Sequence, residues 1–155
     1  MNLYRAMLER WGRTRAFAWF GRRVLTPLDL RFKGSRLAPS RLGTDLPLCY
    51  LTTIGRRSGE PRTVPLLYVP GVGGAVVVVA TNFGTDRHPA WSHNLEADPN
   101  AIVEISGQAV EVRARRLDGE EWERYLGEFS SVWPAYETYR ARTDRNIRLY
   151  VLEPG

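Results

Sequence analysis

Leu48–Ile54 is a short run of apolar and threonine residues that breaks at Gly55-Arg56-Arg57-Ser58-Gly59-Glu60-Pro61, and Arg62–Val69 resumes the same pattern. Two such runs joined by a glycine-bounded turn predict a β-hairpin. Pro70-Gly71-Val72-Gly73-Gly74 marks a second turn, and Ala75–Ala80, entirely valine and alanine, predicts a buried strand. A helix is expected over Pro89–Ala97, ended by Asp98-Pro99-Asn100. Strands follow at Ala101–Ile105 and Ala109–Leu117, turning at Ser106-Gly107. Asp118 is the expected cap of a helix over Glu120–Val132, with a shorter helix over Ala135–Arg142 and a last strand at Ile147–Leu152. Hairpins interrupted by helices, with no βαβ rhythm, predict an α+β fold: a mainly antiparallel sheet or small barrel.

Upstream the pattern changes. Leu3, Tyr4, Met7, Leu8 and Trp11 recur at helical spacing among Arg5, Glu9, Arg10 and Arg13, predicting one or two short helices over 2–24. Thr26-Pro27 ends them, and residues 27–47, rich in Pro, Gly, Ser and Arg, read as a connector. The chain therefore divides into a helical arm and connector at 1–46 and a folded domain at 47–155. Its length of 155 residues suits one domain with one core.

Charge sharpens that division. Ten basic and two acidic residues lie between Met1 and Gly43, a net of +8, while the other 112 residues hold twelve basic and fifteen acidic, a net of −3. A basic arm interleaved with Trp11, Phe17, Trp19 and Phe20 has the makeup of a segment that lies on an anionic lipid surface, or of one that packs over the domain with its arginines in solvent. The acidic remainder and the lack of a nucleic-acid motif argue against DNA or RNA as partner. Ala16–Phe20 is too short an apolar core for a signal peptide, and no stretch is long enough to span a membrane, so the expected compartment is the cytoplasm, with a possible peripheral place at the inner face of the membrane. Cys49 is the sole cysteine, which excludes an intrachain disulfide and a cysteine-based metal site.

Three constellations carry candidate chemistry. In the hairpin turn, Arg56, Arg57 and the following Arg62 surround a glycine-bounded loop; guanidinium forks there would hold a phosphate or carboxylate, or simply keep a sheet edge soluble. His88-Pro89-Ala90-Trp91-Ser92-His93-Asn94 carries two histidines five apart, a spacing that does not share one helix face, so no metal is expected. Trp91 is a packing aromatic by default, and Asn94, one turn on, could donate to the carbonyl of a flat ring. Trp133, Tyr136 and Tyr139 fall three apart, which on a helix gives either a core stripe or a pocket wall with phenolic proton donors. The glutamates at 120, 121, 123 and 128 read as a solvated helix face, and Ser58, Ser92 and Ser130 lack the setting of a hydrolase nucleophile.

Taken together, Leu51-Thr52-Thr53-Ile54-Gly55-Arg56-Arg57-Ser58-Gly59, Pro61–Leu66, Val78–Asn82, His88-Pro89-Ala90-Trp91 with Asn94-Leu95, and Thr143–Ile147 resemble the deazaflavin-dependent nitroreductases, from about Leu48 to Glu153. The resemblance implies a split β-barrel of the FMN-binding type with peripheral helices, and reduced coenzyme F420 as hydride donor to an enone, quinone-like or nitro compound. It assigns the phosphate and oligoglutamate tail to Arg56, Arg57, Ser58 and Arg62. Pro65, Leu66, Val79, Ala80, Thr81 and Asn82 would line the cofactor, with Ala90, Trp91 and Asn94 as the other wall. Trp133, Leu67 and Thr81 would face the substrate, and Tyr136 or Tyr139 would donate the proton. Arg57 replaces a common lysine, Asn82 stands where lysine or glycine is frequent, and Trp133 stands where a tyrosine can occur. FMN or a tetrapyrrole-sized ligand on the same barrel is the runner-up, a non-enzymatic membrane-surface module is the third reading, and a monomer or homodimer is expected.

Overall fold

The structure, a computed structural model, describes residues 46–155. The arm helices expected over 2–24, and the connector apart from residues 46 and 47, lie outside the described residues. Among those described, six strands form: β1 (Leu48–Ile54), β2 (Pro61–Pro70), β3 (Val76–Val79), β4 (Asn100–Ile105), β5 (Gln108–Arg116) and β6 (Leu149–Pro154). They close into a barrel in the order β1-β2-β3-β6-β5-β4, with every neighbouring pair antiparallel. Closure comes from β4 on β1, through Tyr50 opposite Glu104 and Leu51 opposite Val103. Three helices complete the domain: α1 (Ala90–Ala97), α2 (Gly119–Val132) and α3 (Ala135–Ala141).

Strand alternation decides which side chains meet. Cys49, Leu51, Val76, Val78, Val103, Val112, Tyr150 and Leu152 form one cluster with Trp91 and Leu95 of α1. Five strands supply these buried residues, β2 adds the partly buried Val64, Leu66 and Tyr68, and the cluster is the barrel interior with α1 packed against it. The opposite faces of β3 and β6, through Val77, Val79, Leu149 and Val151, pack against Leu126 and Phe129 of α2 and Tyr136 and Tyr139 of α3. β3 is thus buried on both faces, which explains an unbroken valine run where a half-buried strand would alternate.

Most boundaries shift from the sequence expectation by one or two residues, and three details stand out. β3 stops at Val79, although the Ala80 N–H still bonds the Arg148 carbonyl at 2.8 Å in the register that sets Val79 opposite Leu149. β6 starts at Leu149 instead of Ile147: the Ile147 carbonyl takes the Trp122 indole N–H at 2.7 Å. Asp118 occupies the cap position of α2, yet its carboxylate makes no capping bond, with left-handed Gly119 (φ +54°) between it and the first turn. Packing of Tyr125, Leu126 and Phe129 holds α2 in its place. α3 is seated on a one-turn segment at Asn82–Gly84, where a side chain on Gly84 would come within 2.8 Å of the Tyr139 backbone.

Candidate functional site

The β1–β2 turn is a closed, rigid loop. Its ends are pinned by Gly55 N–H to the Glu60 carbonyl and Gly59 N–H to the Gly55 carbonyl, both 2.8 Å, and Gly59 is left-handed at φ +70°. Ser58 Oγ accepts the Glu60 N–H at 3.2 Å. The Arg56 N–H donates to Asn94 Oδ1 at 3.1 Å, and Asn94 Nδ2 donates to Thr53 Oγ1 at 2.9 Å. One side chain of α1 therefore fixes both β1 and the arginine loop.

This contact brings the loop and α1 together as the two sides of an open groove of about 1100 Å³. Arg56, Arg57, Ser58 and Arg62 line it with Ala90, Trp91 and Asn94, and the structure adds Asp86, Arg87, His88 and His93. Seven expected cofactor-binding residues from two separate stretches thus meet in one place. Ion pairs of the described residues lie elsewhere, at Arg115–Glu121, Arg115–Glu153, Arg116–Glu96 and Arg124–Glu128. Among the described residues, Arg56, Arg57, Arg62 and Arg87 have no carboxylate partner and Asp86 is the only acid lining the groove. Guanidiniums without carboxylate partners suit phosphate or carboxylate oxygens.

Arg145, to which no role attaches in the sequence, holds the far side. Its guanidinium donates to the carbonyls of Ala80 at 3.0 Å and Thr85 at 2.9 Å, to that of Thr81, and to His88 Nδ1 at 3.0 Å. Four bonds from one side chain fix the 80–88 segment that leads into α1. Burial, with Arg148 and Arg145 close by, pushes His88 down to about 4, so it stays a neutral acceptor. Beneath α1, Arg148 donates to Ser92 Oγ at 3.2 Å, Ser92 and the Tyr150 hydroxyl lie 2.9 Å apart, and that hydroxyl donates to Glu96 at 2.7 Å. Ser92 is thereby a buried structural link between α1 and β6. Cys49 is fully buried, and desolvation pushes its thiol up to about 12, well away from reactivity.

Other expected site residues lie outside this groove. Val79 belongs to the outer core and Ala80 to the barrel interior, while Leu66 and Leu67 are partly buried against the interior and the outer core respectively. Pro65 sits in β2 opposite Tyr50. Thr81 is buried and contributes its carbonyl to Arg145. Asn82, at φ +45°, spends its amide on Thr85 Oγ1 at 2.8 Å and the Arg87 carbonyl at 2.9 Å, so it shapes its own turn. Trp133, Tyr136 and Tyr139 come together in the outer core, with the two tyrosine rings edge to face at 5.8 Å. Burial raises both phenols above their ordinary range.

Residues 31–154 match the family model described as F420H(2)-dependent quinone reductase. The F420H(2)-dependent quinone reductase Rv1261c of Mycobacterium tuberculosis H37Rv is 29% identical over 114 residues, covering 68% of this chain and 72% of that protein. Among solved structures, an F420-H2 dependent reductase, FDR-A, superposes with a TM-score of 0.63 at 34% identity, over 69% of this chain and 94% of that one. A domain-swapped dimer matches with a TM-score of 0.65 at 31% identity, over 80% of this chain and 91% of that one. The chain belongs to the F420H(2)-dependent quinone reductase family.

Proposed function

We propose that this chain is an oxidoreductase that uses F420H2 to reduce an electron-poor small molecule such as a quinone-like ring, an enone or a nitro compound. The observation that carries the reading is the groove where Arg56, Arg57, Arg62 and Arg87, free of carboxylate partners among the described residues, converge beside Trp91. F420 ends in a phosphate and carboxylates, and guanidinium forks match both. When bound, the cofactor supplies the hydride, and the protein supplies binding, orientation and electrostatics. That division fits a site with no catalytic triad.

Within this reading the arginine loop and Ser58 hold the anionic tail, and Ala90 and Trp91 flank the ring system. Asn94 acts by positioning the loop. Pro65, Leu66, Val79, Ala80, Thr81 and Asn82 shape the far end of the cofactor site, with Leu67, Thr81 and Trp133 toward the substrate. Tyr136 or Tyr139 gives up the proton; burial keeps both hydroxyls protonated and also makes them weaker acids, so the donation has to be driven by the charge that hydride transfer leaves on the substrate. The protein works in the cytoplasm as a monomer or homodimer, and its basic arm rests against anionic lipid. None of the described helices is long and apolar enough to cross a membrane. The test is a parallel titration of the pure protein with F420 and FMN. Tighter binding of F420 is expected, and tighter binding of FMN would overturn the assignment.

A further inference from the structure

We propose that His93 is an additional contact for the anionic tail, and that it binds as the imidazolium, so that tail binding takes up a proton from the buffer. The inference rests on the reading of the groove as the F420 site.

The two histidines of the groove are not equivalent. His88 Nδ1 is occupied by the Arg145 guanidinium at 3.0 Å, an arrangement that needs a neutral ring. His93 also lines the groove, but no described residue hydrogen-bonds to its ring, which meets His88 edge-on at 5.8 Å. Among the described residues nothing occupies either ring nitrogen. Facing His93 are Arg56 and Arg57 from the β1–β2 loop, Arg148 from the segment before β6, His88 and Arg87 from the segment before α1, and Glu96 on its own helix. The cations outnumber the single acid. Burial first, then Arg56 and Arg148, hold the free ring below its ordinary value, and so neutral near pH 7. A polyanion lying among these guanidiniums cancels their repulsion and offers an acceptor to an imidazolium N–H. Of the groove's cationic side chains, only a histidine can change charge near neutral pH; the arginines stay charged throughout.

The sign follows from linkage. The bound ring titrates higher than the free ring, so the extra affinity is complete below the free value and falls as pH rises through the bound one. Calorimetry of the full chain with F420 at pH 6.5, in two buffers of contrasting ionisation enthalpy, reads the proton count directly. The wild type should take up more protons per ligand than His93→Gln, by roughly two-thirds of a proton at this pH. Its affinity advantage, about tenfold at pH 6, should shrink below about twofold at pH 8.5. His93→Lys, charged throughout, should restore the low-pH affinity and remove the pH dependence. Tight binding with equal proton counts in wild type and His93→Gln, or an affinity ratio constant with pH, overturns the inference and leaves the groove's assignment standing. A wild type that binds no F420 overturns the assignment and the inference with it.

Discussion

Asn94 accepts the backbone N–H of Arg56 at 3.1 Å and donates to Thr53 Oγ1 at 2.9 Å, so a side chain only 5% exposed joins the arginine loop to the helix facing it. The groove's two walls are thereby held at one separation without a covalent link. A ligand spanning them meets a site already assembled, which reduces the ordering cost of binding.

Asn94→Ala leaves the Arg56 N–H and the Thr53 hydroxyl without their partner, at about 1–3 kcal/mol for each group that water cannot reach. A drop in Tm on the order of 10 °C is expected, with F420 affinity weakened several-fold and turnover at saturating cofactor nearly unchanged. Asn94→Asp keeps an acceptor for the Arg56 N–H and should melt closer to the wild type. Thermal unfolding and cofactor titration of the three proteins check this. An Ala variant that melts with the wild type would remove Asn94 from the positioning role.

His88 makes stability depend on pH in a defined window. Folded, it takes its proton near 4; the unfolded chain takes it near the ordinary 6.5. As pH falls from about 6.5 the unfolded state is protonated first, so stability declines down to about 4, and this group removes nothing further below that. His88→Gln keeps an acceptor for Arg145 and should flatten this part of the profile. Urea unfolding of both proteins at pH 7, 5.5 and 4.5 measures it, and parallel profiles would contradict the assignment.

Local patterns were legible in the sequence; long-range partners were not. Leu48–Ile54 and the turn at Gly55–Pro61 declare a hairpin, because strand composition and turn glycines are neighbours in the chain. The pairing of β3 with β6, and of β4 with β1, carries no comparable local sign. The site divides in the same way. Arg56, Arg57 and Arg62 are neighbours in the chain and read either as an anion loop or as a solvated sheet edge; the groove they share with α1 is visible only in the fold. Asn94 was expected to face a ring, but its partners Arg56 and Thr53 lie 38 and 41 residues away. Arg145 stands in the stretch Thr143–Ile147 that carries the resemblance, yet its task was not legible: the carbonyls it clamps, 60–65 residues upstream, have no side-chain signature.

Tyr136 packs edge to face between Phe129 at 5.5 Å and Tyr139 at 5.8 Å. Tyr136→Phe preserves that packing and removes only the hydroxyl. If the phenol delivers the proton that follows hydride transfer, turnover should fall by about 100-fold or more with F420 affinity within about twofold. Steady-state kinetics beside a cofactor titration separates the two quantities. A loss of turnover below twofold makes Tyr136 a packing residue of the outer core.

The arm supplies the last prediction. Its net +8 over residues 1–43, set against a net −3 in the remainder, places the cationic charge on a segment that also carries Trp11, Phe17, Trp19 and Phe20. Each Lys or Arg near an anionic surface contributes about 1 kcal/mol, and aromatic rings favour the interfacial zone, so several acting together hold a domain there reversibly. Full-length protein should co-sediment with vesicles containing anionic lipid, not with neutral ones, and should be released by raised salt as the charges are screened. Replacing Arg5, Arg10, Arg13 and Arg15 together by Gln removes about 4 kcal/mol of that attraction and should abolish co-sedimentation, while F420 binding in the groove is unchanged. Equal, negligible sedimentation of both proteins would leave the arm's aromatics as cover for the barrel and its arginines as solvated charge.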